Sequence, residues 1–163
     1  MSVTEMVGPA VLGPEDGKRV VPLPGSPIVF KTWGKRPDGD YDFAEFTLVP
    51  GQEGPKTHRH TTHEELFYVL EGELEMLVAD RSVVLGPGSA AFVPTGTVHA
   101  FRNSGAVQVR FLLVVTPSGL HRYFEQIQQL REAGNLNPST MTELRLTYDT
   151  EEVEAGWAGG NAT

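Results

Sequence analysis

The stretch His58-Arg59-His60-Thr61-Thr62-His63-Glu64-Glu65-Leu66-Phe67-Tyr68-Val69-Leu70-Glu71-Gly72 gathers three of the chain's five histidines and two glutamates just ahead of an apolar run. In an extended segment alternate side chains share a side, so His58 and His60 can point inward together. Glu65 opens the apolar run, with Phe67 and Val69 on its own face. Gly72, within Leu70-Glu71-Gly72-Glu73, marks a hairpin turn where a positive φ suits only glycine without strain. Beyond the turn, Leu74, Met76 and Val78 alternate with Glu73, Glu75 and Leu77, as in a strand with one buried face.

The same texture continues outward on both sides. Eighteen Gly and twelve Pro cut the chain into short runs rich in Val, Leu, Phe and Tyr, which read as strands. Strands are expected near Ile28–Trp33, Tyr41–Val49, Glu65–Leu70, Leu74–Val78, Ser82–Leu85, Ala90–Val93, His99–Asn103 and Val107–Val115. Many short strands with Gly/Pro turns point to an all-β sandwich or closed barrel rather than a βαβ fold. After Pro117 the period changes. Leu120, Tyr123, Phe124, Ile127 and Leu130 recur at helical spacing, Ser118 can cap the start and Gly134 can stop the helix. This amphipathic helix either packs on the outside of the barrel or also lids its mouth. A second short helix is expected near Ser139–Leu146. The organisation expected is an N-terminal arm (1–27), a β-barrel (28–117), a helical segment (118–148) and a fraying acidic, then Gly/Ala-rich tail (149–163).

Composition narrows the function. A chain of 163 residues suits one domain, and its 39% hydrophobic and 21% charged residues are an ordinary soluble balance. The longest apolar run, Phe111–Val115, is too short to cross a bilayer, and Met1–Ala10 lacks the pattern of a signal peptide. A cytoplasmic location is therefore expected. With no cysteine, disulfides, thiolate metal sites and cysteine nucleophiles are excluded, which leaves any metal to histidine and carboxylate. A net charge of −8 opposes nucleic acid and anionic lipid as partners. A small-molecule substrate or a protein partner remains.

Histidine is also common on surfaces, and Glu64 and Glu65 could be a charged strand end. The second cluster holds His99 with Phe101, and a single histidine there could be core or ligand. Three imidazoles and one carboxylate around a divalent ion form a borderline site that suits Fe, Mn, Ni, Co, Cu or Zn.

Read together, the two clusters resemble the cupin superfamily. Its first motif appears as His58-x-His60, four residues, Glu65, six residues, Gly72. Its leading glycine is irregular, with Gly51 one residue too far upstream and Gly54 two too near. The second motif, Gly-x5-Pro-x-Gly-x2-His-x3-Asn, is matched by Gly88, Pro94, Gly96, His99 and Asn103. The resemblance implies a double-stranded β-helix (jelly-roll barrel) holding one divalent transition metal ion on His58, His60, Glu65 and His99. It selects Glu65 over Glu64 by the distance to Gly72 and gives Asn103 a role in the fold. His63 is expected beside the ligands or on the surface, and His121 on the surface at the helix start.

More loosely, the region through Pro117-Ser118-Gly119-Leu120-His121-Arg122-Tyr123-Phe124 is similar to quercetin 2,3-dioxygenase-like monocupins. That likeness implies O₂-dependent cleavage of a flavonol-like or enolic aromatic substrate, with Glu65 as catalytic base as well as ligand. Phe67, Val69, Leu74, Met76, Phe92 and Phe101 are the candidate pocket walls. A redox-neutral cyclase, isomerase or dehydratase is the alternative, and a non-catalytic ligand-binding cupin the weaker one. The family also implies a homodimer, with Ile28–Trp33 as an edge or swapped strand.

Overall fold

The computed structural model describes residues 9–34 and 40–157. Its elements run β1 (Lys18–Leu23), β2 (Ser26–Thr32), β3 (Asp42–Leu48), β4 (His58–Arg59), β5 (Glu64–Glu71), β6 (Leu74–Val78), β7 (Arg81–Leu85), β8 (Ala90–Val93), β9 (His99–Arg102), β10 (Val109–Thr116), α1 (Leu120–Glu132), α2 (Pro138–Thr147) and β11 (Glu151–Glu152). The strands form two antiparallel sheets, β1-β2-β3-β10-β5-β8 and β11-β4-β9-β6-β7. This is the expected all-β cupin jelly roll with short helices after it.

Strand parity builds the core. Along β3 and β10 every second residue is buried, from Asp42 to Leu48 and from Val109 to Val115, because the pleat sends alternate side chains to one face. Phe30, Phe46, Phe67 and Phe111 from the first sheet join Leu74, Met76 and Phe101 from the second in one hydrophobic cluster. The Phe101 ring packs on Phe46, Phe67 and Phe111 at centroid distances of 6.4, 5.7 and 5.4 Å. Such contacts tie the two sheets face to face. The hairpin glycine reads as expected: Gly72 has φ 73°, and a Cβ there would lie 2.4 Å from the carbonyl oxygen of Gln108.

Two expectations at the ends of the chain are corrected. Residues 18–27 are not a separate arm. β1 pairs with β2 in register Lys18↔Phe30 to Leu23↔Ser26, so β1 is the edge strand and β2 lies inside the sheet. Nor does the segment after Asp149 hang free. β11 pairs with β4, Val153 N–H donates to the Thr57 carbonyl at 2.9 Å, and Arg102 stacks 4.2 Å over the Trp157 ring. Its acidic residues find basic partners on the barrel, which composition alone could not reveal. The part of the expected tail from 158 to 163 lies outside the described residues.

The helices start differently from the simplest reading. Ser118 does not cap α1. Its hydroxyl donates to Asp42 Oδ1 at 2.5 Å, and Asp42 Oδ2 accepts the N–H groups of Gly119 and His121 at 3.1 and 2.9 Å. Asp42 on β3 thus does the capping from across the fold. α2 begins with a capping box on Asn137, two residues before the expected serine, with Pro138 in the first turn. α1 packs against β1, held by Lys18–Glu125 at 2.7 Å and by Val21 N–H donating to Gln128 Oε1 at 2.6 Å. Among the described residues no helix is long and apolar enough to cross a membrane.

Candidate metal centre

The short strand β4 exists because β9 and β11 take its backbone groups on either side, His58 opposite His99 and Glu152 opposite His58. That register puts the two imidazoles next to one another, with ring centroids 4.3 Å apart. His60 follows where β4 ends. The Gly96 amide, in a residue with φ 79°, donates to the His60 carbonyl at 2.6 Å. The turn before His99 therefore also positions His60. Glu65 reaches the same point from β5 in the opposite sheet.

The ligand nitrogens of His58, His60 and His99 lie within 4.8 Å of one another, and all three rings are buried. Glu65 adds Oε2 at 2.8 Å from His99 Nε2 and Oε1 at 3.7 Å from His60 Nε2. The other ring nitrogens are spoken for. His58 Nδ1 donates to the Lys56 carbonyl at 2.7 Å, His60 Nδ1 to Asp149 at 2.7 Å and His99 Nδ1 to Thr97 at 3.0 Å. In neutral imidazoles this places the proton on Nδ1 and leaves the Nε2 lone pairs facing the cluster. His99 Nε2 and Glu65 Oε2 are buried without a hydrogen-bond partner. A divalent ion bound by both atoms would relieve this contact and satisfy the whole donor set. The residues fit such an ion, with backbone carbonyls acting as the usual outer support.

Electrostatics follow from this crowding. Burial, with the neighbouring His99 and His60 rings, pushes His58 down to about 3. Burial would lower His60 too, but the Glu65 carboxylate and the Asp149 carbonyl outweigh it and raise it above the ordinary histidine value. Burial would raise Glu65, yet the close approach of the His60 and His99 imidazoles outweighs it and holds the carboxyl well below the usual carboxylate range. Glu65 is thus the anion of the site.

A cavity of about 300 Å³ opens against His58, His60 and Glu65. Its walls include Ile28, Phe46, Phe101, Tyr123, Phe124 and Ile127, and Lys56, Arg145 and Glu152 add charge. Side chains of both α1 and α2 line it, so the helices wall the barrel mouth rather than only packing outside. Of the expected pocket residues, Phe101 lines the cavity. Phe67, Val69, Leu74 and Met76 point inward as parity required but are fully buried in the core, where a small barrel fills with side chains. Phe92 is corrected outright. The β5–β8 register sets it opposite Leu66, with Ala91 and Val93 on the inner face, and it is 57% exposed.

Of the remaining candidates, Glu64 pairs with Thr116 at the start of β5 and stays outside the cluster. His63 lies beside it, its ring 5.4 Å from that of His60 and its Nδ1 3.1 Å from Asp149 Oδ2. His121 is not on the surface. It is buried and sits 3.2 Å from both Asp42 oxygens. Asn103 supports the fold, its amide donating to the carbonyls of Leu48, Val49 and Val107. Both glycines near the irregular position have a local reason: Gly51 has φ 70°, and at Gly54 a Cβ would fall 1.9 Å from the Phe101 carbonyl oxygen. Asp149 was not foreseen, because its partners at His60–His63 lie far away in sequence.

Comparison with known proteins agrees with this fold. Residues 44–115 match the family model described as Cupin domain. The chain is 29% identical over 126 residues to a quercetin 2,3-dioxygenase of Bacillus subtilis, covering 74% of this chain and 35% of that protein. It is 27% identical to a glucose-6-phosphate isomerase of Thermococcus kodakarensis, covering 62% of this chain and 61% of the relative. The chain thus spans less than two thirds of either relative. A crystal structure of an RmlC-like cupin from Shewanella frigidimarina superposes with a TM-score of 0.57 at 21% identity, covering 68% of this chain and 93% of the other.

Proposed function

The chain belongs to the cupin superfamily, and we propose that it is a metal-dependent enzyme acting with O₂ on a flavonol-like or enolic aromatic substrate. The observation that carries this reading is the pairing of a three-histidine cluster and the adjoining Glu65 carboxylate with a mainly apolar, aromatic-walled cavity opening onto them. A divalent transition ion held by His58, His60, Glu65 and His99 supplies Lewis acidity and, when redox-active, a route for electrons between substrate and O₂. The protein's own part is to orient and to move one proton. Phe46, Phe101 and Phe124 flank a flat ring and exclude water, which strengthens electrostatics inside the site. Glu65, anionic and at the cavity wall, accepts the proton of the enolic hydroxyl through its carboxylate oxygen.

The likeness to a sugar-phosphate isomerase supports a second reading, redox-neutral isomerisation. The cavity favours the first. Its cations Arg145 and Lys56 both pair with Glu152, the latter at 3.7 Å, which leaves less free charge for a phosphate than such a substrate needs. The test is to load the protein in turn with Fe, Mn, Ni, Co, Cu and Zn and to follow dissolved O₂ with quercetin as the probe. Substrate-dependent O₂ uptake with a redox-active ion is expected. Conversion of a sugar phosphate without O₂ uptake would transfer the assignment to the second reading.

A homodimer is part of the proposal. Leu66, Tyr68 and Phe92 form an exposed apolar stripe on the outer face of β5 and the edge strand β8, a feature that marks a contact surface.

A further inference from the structure

We infer that Asp149 is a positioning residue of the metal centre and that the segment 149–157 is the strap which holds the ligand strand in place. The inference rests on reading His58, His60, Glu65 and His99 as metal ligands. It begins from one hydrogen bond: the backbone carbonyl of Asp149 accepts His60 Nδ1–H at 2.7 Å across 89 residues of sequence. That bond fixes both the tautomer and the plane of the ring, and outer partners of this kind set how well a ligand histidine binds.

The side chain of the same residue fixes the loop that carries His60. Asp149 Oδ1 accepts the Thr61 amide at 3.0 Å and the Thr61 hydroxyl at 2.5 Å. Oδ2 accepts the Thr62 amide and hydroxyl at 2.7 and 2.6 Å and faces His63 Nδ1 at 3.1 Å. Partial burial would raise the carboxyl, but these donors outweigh it and keep Asp149 anionic. With its oxygens occupied in this way, Asp149 is unsuited to bind an ion beside His60 and His63, although the three groups lie close together. It is a bracket for the loop rather than a second metal site. Its φ of 51° lies in the left-handed region, which aspartate and asparagine tolerate better than most residues.

The strap is fastened again beyond this bracket. Arg59 Nε and Nη2 grip the Glu151 carboxylate at 2.8 and 3.1 Å, and Thr57 Oγ1 donates to the Ala155 carbonyl at 2.7 Å. Arg145 pairs with Glu152, which lies opposite His58 in the β4–β11 register. The strand that carries His58 and leads directly into His60 is only two residues long, so its rigidity comes from these neighbours.

The test is a Co²⁺ titration of the full chain, read by affinity and by the visible absorption of the bound ion. Wild type, D149A and D149N are compared, alongside thermal melts of the metal-free proteins. D149A is expected to bind Co²⁺ about 10–100-fold more weakly with an altered spectrum. D149N, which keeps one acceptor and tolerates the backbone, is expected to recover most of both. Lower thermal stability of D149A with wild-type affinity and spectrum would mean a purely structural role and overturn the inference. If D149A does not fold, the T61V/T62V pair decides. It removes two donors, and several-fold weaker binding supports the bracket while unchanged binding refutes it. Failure of wild type to bind Co²⁺ would instead sink the metal reading beneath it.

Discussion

Glu65 Oε2 and His99 Nε2 face one another at 2.8 Å, both buried and neither with a hydrogen-bond partner. The His99 proton is committed to Thr97 on the other side of the ring, so two electron-rich atoms meet with nothing between them. An unsatisfied buried polar atom costs about 1–3 kcal/mol, more for a charged one. A divalent ion relieves that cost in the folded state only. Loading at about 100 times its Kd stabilises by about 2.7 kcal/mol, or about 5–10 °C in Tm for a chain of this size. Differential scanning fluorimetry with and without chelator checks it, and an unchanged Tm with a saturating ion would count against the centre.

Glu65 has two roles in the proposal, ligand and proton acceptor, and they separate in the E65Q variant. Gln keeps the volume and one oxygen donor but loses the charge and the basicity. E65Q is expected to keep the barrel's circular dichroism, to bind the ion more weakly and to lose turnover by about 10²-fold or more even when saturated with metal. Saturated E65Q with wild-type turnover would remove the base role.

The legible parts of this protein are those written locally. His58-x-His60 and Glu65 lie within eight residues, and the resemblance to the first cupin motif, with its spacing to Gly72, implied that they meet at one point. The second motif placed His99 in the same way. What sequence could not reveal were partners found only by folding, such as Asp42 with His121 and Asp149 with His60. Phe92 failed for a related reason: period-2 alternation defines two faces, and only the pairing of Phe92 with Leu66 decides which one is out. β1 and β11 were missed because KRVVPL and two glutamates carry weak strand signals, and each is held by its neighbour's open edge.

Asp42 ties β3 to the start of α1, and its loss should loosen the wall of the cavity. Burial would raise its carboxyl, but hydrogen bonds from His121, Ser118 and Gly119 outweigh it and lower it below 3.8. A depressed carboxyl contributes stability that is present above its unfolded value and lost as pH falls through the folded one. This contribution should therefore be constant above about pH 5 and disappear on acidification below the ordinary aspartate range. D42A is expected to cost about 3 kcal/mol at neutral pH and to flatten this part of the acid limb. Urea melts as a function of pH measure both effects.

The cavity, as distinct from the ion, is tested at Ile127. This α1 residue is buried, lines the cavity and is not one of the four donors. I127W puts an indole into a space of about 300 Å³ and should cut quercetin binding by at least about tenfold, a loss of about 1.4 kcal/mol. Co²⁺ affinity should stay at the wild-type value. Retained quercetin binding would place the substrate elsewhere.

Association can be separated from chemistry on the outer face of the barrel. Leu66 and Phe92 are register partners on β5 and β8, 44% and 57% exposed, and both point away from the metal cluster. If a second copy covers them, a charge placed there must be desolvated at the interface, which is unfavourable unless it is paired. F92E, alone or with L66K, is therefore expected to shift the protein to monomer in light scattering. The outward side chains do not enter the core, so metal affinity and Tm at low concentration should hardly change. A wild type that is already monomeric at high concentration would leave the stripe without this partner, and an F92E protein that still dimerises would move the interface to another surface.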